Sequence, residues 1–156
     1  MDINDYLIPQ AGKDWSVLLC GWREALPESF TLWMVNRFGD LFTVHDDGSV
    51  HMLDVGAGRL ARLADNRDHF CSLVDVGDNA NNWLMIPLVN ECVAGGMILR
   101  PNQCYGYKVP PTLGGEYHVS NVEPTDLSVH YSLLGDIYRQ TKDLSDGTRI
   151  RVVTTD

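Results

Sequence analysis

The sequence predicts an α+β fold: one compact domain in which a mixed, largely antiparallel sheet packs against several helices. Three observations predict it. Hairpin and helix signals are interspersed without the regular strand–helix alternation of a parallel sheet. Two short apolar runs, Leu41–His45 and Val50–Val55, flank Asp46-Asp47-Gly48-Ser49, and Asp-Gly between such runs is a strong hairpin signal. Further on, Leu127, Tyr131, Leu134 and Tyr138 recur at helical spacing, which makes one buried stripe.

Taken in order, Pro9 and Gly12 break a loosely attached start. Asp14 caps an expected helix from about Trp15 to Ala25, with Trp15, Leu18, Leu19 and Trp22 on one face,. Pro27 suits the first turn of a second expected helix running to about Arg37, with Phe30, Trp33, Met34 and Phe38 inward and Gly39 as its stop,. The hairpin follows, then a short apolar patch, Leu60–Ala64. Asp65 or Asn66 caps a helix through about Val74,.

The polar stretch Asp78-Asn79-Ala80-Asn81-Asn82 is the expected boundary between two halves, 1–78 and 79–156, that share one core. A helix is expected from Met85 or Pro87 to Ala94, with a short strand at Trp83–Ile86 as its rival,. Cys104–Tyr117 concentrates unusual local chemistry. It holds three of the six tyrosines, the rigid Pro110-Pro111 and the turn-forming Gly114-Gly115,. It reads as a strand, an extended corner, a turn and a second strand, Glu116–Val122. Thr125 or Asp126 then caps the helix Leu127 to about Lys142, and Ser145-Asp146-Gly147 turns into a last strand, Thr148–Val153.

The chain has 156 residues, of which 44% are hydrophobic, enough for a substantial core,. Its four cysteines are scattered, with no Cys-x-x-Cys pair, and its start is acidic with no apolar leader. Reduced thiols in a cytoplasmic protein are expected. No apolar run approaches the ~18 residues of a membrane span. Net charge is −9, with residues 1–78 carrying 13 acidic and 6 basic side chains against 8 and 6 in the remainder. Such a field disfavours nucleic acid and anionic membranes and favours a basic partner.

Catalytic, cofactor and metal motifs are missing. There is no Gly-x-Ser-x-Gly, no complete phosphate loop and no His-x-x-x-His,. His45 and His51 flank the hairpin near Asp46, Asp47 and Asp54, but the spacing fits a solvated hairpin better than a ligand set. His118, His130 and Glu116 would suit an enzyme only if they shared a pocket. We therefore expect no enzyme, no cofactor and no metal. Tyrosines and acidic side chains suit protein recognition. The candidate partner-binding residues are Asp46 and Asp47 on the hairpin, with Tyr105, Tyr107 and Glu116 around the corner.

Several stretches resemble one family: Asn82-Trp83-Leu84-Met85-Ile86-Pro87, Cys104 to Pro111, Leu113-Gly114-Gly115-Glu116-Tyr117, and Arg139 to Leu144 with Asp146-Gly147. Over about residues 80–150 they are similar to the C-terminal domain of type VI secretion DNase-immunity proteins. Leu26-Pro27, Phe38-Gly39-Asp40 and Asp47-Gly48-Ser49-Val50 are similar to the GAD-like region that commonly precedes it. The same Leu-Pro, Phe-Gly and Asp-Gly pattern loosely resembles SUKH proteins. The first resemblance implies a non-enzymatic protein that binds and neutralises a cognate toxin, a DNase effector. The last implies an intracellular scaffold without a toxin partner.

Overall fold

Four strands follow one another in chain order across the larger sheet of the computed structural model, which describes residues 2–144. They are β1 Phe30–Val35, β2 Leu41–His45, β3 Val50–Asp54 and β4 Arg59–Ala64, each antiparallel to the next. The expected hairpin forms as the sequence indicates. Val44 pairs with Val50 and Leu41 with Leu53, and Gly48 supplies the left-handed turn residue at φ +86°,. A second, two-stranded sheet pairs β5 Gln103–Tyr107 with β6 Val122–Asp126, also antiparallel.

Cross-strand partners share a face, so each side of the larger sheet has its own cover. Phe42, Val44, Val50 and Met52 pack against α2 Arg67–Val74, α3 Asn79–Leu84 and α4 Ile86–Ala94. Phe70 is the centre of that layer, with the rings of Trp33, Phe42 and Trp83 at 5.1, 5.8 and 5.2 Å. Leu41 and Leu53 face the other way. There they meet α1 Trp15–Leu18, a 3-10 turn at Cys20–Ala25, and α5 Leu127–Thr141. Trp22 is fully buried on that side, and its indole N–H donates to the Tyr131 carbonyl at 3.0 Å. Removing such a side chain costs about 3–5 kcal/mol.

Several expectations are corrected. The helix expected from Pro27 to Arg37 is β1. Its residues Phe30 to Val35 are β-branched, aromatic or long apolar, and suit a pleated surface. A bulge between Leu32 and Met34 shifts the alternation, so the apolar positions imitate a helical stripe. The helix expected over Trp15–Ala25 stops after Leu18. Gly21 follows, where an added Cβ would lie 2.8 Å from the Arg139 guanidinium, and the backbone tightens there to bury Trp22. Leu60–Ala64 belongs to β4 rather than to an isolated patch.

The polar stretch at 78–82 is largely α3, not a loop, and the rival strand at Trp83–Ile86 does not form. Met85 separates α3 from α4 in a left-handed conformation, φ 53°. The strand expected over Glu116–Val122 starts only at Val122, after a 3-10 turn at Val119–Asn121. Pro124 sits inside that strand, where a two-stranded ribbon leaves it a free edge. The Leu127 helix has the expected stripe, with Leu127, Tyr131 and Leu134 buried. The strand expected at Thr148–Val153 and the turn before it lie outside the described residues.

Candidate functional site

The turn between β1 and β2 joins all the layers. Asn36 and Asp40 are buried there. Asn36 Oδ1 accepts from the amides of Phe38 and Asp40 at 2.9 and 3.0 Å, and Nδ2 donates to Asp40 Oδ2 and to the Trp83 carbonyl at 2.9 and 3.0 Å. The Val55 amide donates to Asp40 Oδ1 at 3.0 Å. From α5, His130 Nε2 and the Tyr131 hydroxyl donate to the carbonyls of Phe38 and Gly39, both at 2.8 Å. From β5, the Tyr105 amide donates to the Arg37 carbonyl at 2.8 Å. Burial pushes the Asp40 carboxyl well above the usual carboxylate range, and the nearby Asp54 pushes it further,. Burial raises Asp54 as well.

Beside this turn lies a cleft of about 290 Å³ lined by Asp40, Asp54, Asn81, Asn82, Met85 and Tyr117, among others. Stretches distant in sequence meet here: Asp40 from the β1–β2 turn, Met52 and Asp54 from β3, the α3–α4 junction, and Tyr117. Tyr117 is 51% exposed and stands edge-on to Tyr107 with centroids 5.9 Å apart. Its hydroxyl is pushed upward first by burial, then by Asp54 and Asp40. A half-exposed aromatic ring in a cleft that also contains carboxyl and amide side chains can receive a polar or cationic side chain,.

Of the candidates from sequence, Tyr105 and Tyr107 are 3% and 8% exposed and belong to the core. Their rings flank Phe38 at 5.4 and 5.5 Å. In the free protein they cannot act as surface anchors, because the strand turns both rings onto the same inner face. Glu116 is exposed beside Tyr117. Asp46 and Asp47 are exposed at the hairpin tip, where Asp47 Oδ1 accepts from the Ser49 amide at 3.0 Å and Arg62 stands 3.8 Å away. The Ser49 hydroxyl and amide hold the Asp47 carboxyl below its ordinary value.

The hairpin tip and the Glu116 corner sit at opposite ends of β3, about 17 Å apart for a five-residue strand. The fold brings Tyr117, the neighbour of Glu116, into the cleft, whereas Glu116, Asp46 and Asp47 do not line it. Asp40, Asn81, Asn82 and Tyr117 were not among the candidates, although each falls within or beside a stretch that carries the family resemblance.

The histidines do not assemble a reaction centre. His130 bonds the Phe38 carbonyl, whereas His118 is exposed and bonds Ser120 at 2.8 Å. His45 and His51 stack in parallel, 3.8 Å apart. Among the described residues no group of three or more His, Cys, Asp or Glu side chains is placed to hold a metal ion. No helix there is long and apolar enough to cross a membrane.

No curated protein matches the sequence. Residues 64–138, just under half of the chain, match the family model described as "T6SS immunity protein Tdi1, C-terminal". The matched region begins at the last residue of β4 and runs through the cleft-forming α3–α4 junction and Tyr117 into α5. That match supports membership of a type VI secretion immunity family.

Proposed function

We propose that this chain is an immunity protein that binds and neutralises a cognate secreted toxin in the bacterial cytoplasm. The toxin is a type VI secretion DNase effector. The observation that carries this reading is the match of residues 64–138 to an immunity-protein family. The net charge of −9 supports the finer part. A DNase presents a basic groove to phosphate, and an acidic protein is drawn to that groove and occupies it. Inhibition is by occupancy, without chemistry on the toxin.

In this reading residues 1–78 form the GAD-like region and 79–156 the immunity region. The two share one core, as the packing of Phe38 and Phe42 with Leu84, Leu88 and Tyr105 supports. Asp46, Asp47 and Glu116 supply charge, and Tyr117 is the exposed aromatic, backed by Tyr107. Co-expression with the toxin encoded next to this gene tests the reading. Cells are expected to survive and the two proteins to co-purify. Continued killing with no complex would overturn it.

A further inference from the structure

A second cleft, of about 430 Å³, opens between the N-terminal 3-10 turn at Ile3–Tyr6, the β1–β2 turn and α4. Arg37 lines it, and among the described residues Arg37 makes no ion pair. Among the described residues its guanidinium is engaged through Nη2 alone, donating to the Asn4 carbonyl at 3.1 Å. The Nε–H is buried and has no acceptor. A buried, unsatisfied charged donor is rare and calls for an explanation.

The cleft also holds an amide donor. The Tyr6 hydroxyl donates to Asn90 Oδ1 at 2.8 Å. That bond fixes the amide, and Nδ2 makes no hydrogen bond among the described residues. Val89, Val93, Met97 and Leu99 make up the apolar wall. The volume falls within the range of small-ligand sites, which pair an apolar lining with a few polar groups. A planar carboxylate matches the guanidinium fork, and one negative charge matches the single cation.

We propose that this cleft binds a carboxylate carried on an apolar group. Arg37 and the Asn90 amide nitrogen hold the carboxylate, and Val89, Val93, Met97 and Leu99 cover the apolar part. The ligand is either a free small acid or the C-terminus of a polypeptide ending on an apolar residue. Asp5 also lines the cleft, with Oδ2 accepting from the Asp2 amide at 3.3 Å. Its charge opposes the ligand and limits the affinity. This site is independent of toxin neutralisation.

The test is a titration of the isotope-labelled full chain, followed by NMR. The probes are hexanoate, hexanol, and acetyl-glycyl-leucine as its free acid and as its amide. Hexanoate is expected to shift the Arg37 Nε–H and the amides of Val89 and Val93, and hexanol is not. Asn90→Asp keeps the acceptor for Tyr6 and places a charge against the ligand, so binding should weaken about tenfold. Arg37→Lys should weaken it by a similar factor, about tenfold, through loss of the fork. Asp5→Asn should tighten it.

If Arg37→Lys does not fold, the Asn90 and Asp5 variants still decide, because both side chains are exposed. Binding of the peptide acid but not its amide identifies a polypeptide terminus as the source. Binding of hexanoate alone identifies a free acid. No shift with either acid, equal shifts with hexanol, or unchanged affinity in the Asn90 and Asp5 variants would each overturn the proposal.

Discussion

His130 Nε2 lies 2.8 Å from the Phe38 carbonyl oxygen, and this bond fastens α5 to the turn between β1 and β2. It requires a proton on Nε2 and is fully compatible with the neutral ring. Burial lowers the pKa of His130 from 6.5 to about 4, although the bond to Phe38 favours the charged form. The unfolded chain therefore binds a proton that the folded chain refuses between those two values. Stability from this group is complete above pH 6.5 and is lost as pH falls towards 4, a loss of about 3 kcal/mol. His130→Gln keeps an N–H donor without titrating. Its urea midpoint should fall less than the parent's between about pH 7 and about pH 4.5. Equal falls would show that His130 does not govern the acid limb. Asp40 titrates in both proteins, so the comparison isolates the histidine.

Asp54 and Asp40 act at the other end of the pH range. Burial is the main cause of both raised carboxyls, and the charge of Asp54 adds to that on Asp40. Carboxyls raised in the folded state contribute stability that is complete below their ordinary value. It is lost as pH rises through the raised one. Asp54 Oδ1 accepts from the Ala57 amide at 3.0 Å, and asparagine preserves that acceptor. Asp54→Asn should therefore be more stable than the parent at about pH 8, and the difference should shrink towards about pH 5. A difference that stayed constant with pH would mean that the pair does not titrate as coupled buried acids.

Gly114 and Gly115 are adjacent, yet their reasons for being glycine differ. Gly114 sits at φ +90° with open space where a Cβ would project. Alanine there meets only the left-handed backbone penalty, about 1 kcal/mol. At Gly115 an added Cβ would overlap the backbone carbonyl of Val109, which cannot swing aside as a flexible side chain would. Gly115→Ala should cost about 3 kcal/mol or prevent folding. Thermal melts of the two variants check the order. Equal losses would contradict the close approach at Gly115.

The same residues show what can be read from a sequence and what cannot. The β2–β3 hairpin was legible because Asp47-Gly48 and the flanking alternation act locally and agree. The α5 helix was legible because Leu127, Tyr131 and Leu134 repeat over several turns. β1 was hidden by the bulge at Trp33, a feature of strand pairing that a single strand's sequence does not announce. The tyrosine cluster was visible, but not which ring reaches the surface. That depends on Phe38, whose ring packs against Tyr105 and Tyr107 and leaves Tyr117 outside. The cleft itself needs Asp40, Asn81, Asn82 and Tyr117 from three separate stretches, and no local pattern joins them.

Asp46 gives the most direct test of how an acidic protein would meet a basic toxin. Its carboxylate is exposed at the hairpin tip, and charge reversal there disturbs no core packing. Asp47 is a poorer choice, since Ser49 and Arg62 both engage it. If the field steers encounter, Asp46→Lys should slow toxin association about tenfold at low salt and much less at high salt. The dissociation rate and the urea midpoint should hardly move. Glu116→Lys makes the same test at the opposite end of β3. A slowed rate in one variant alone identifies the end that faces the toxin. Unchanged association in both would remove electrostatic steering from the account, whether or not a complex forms.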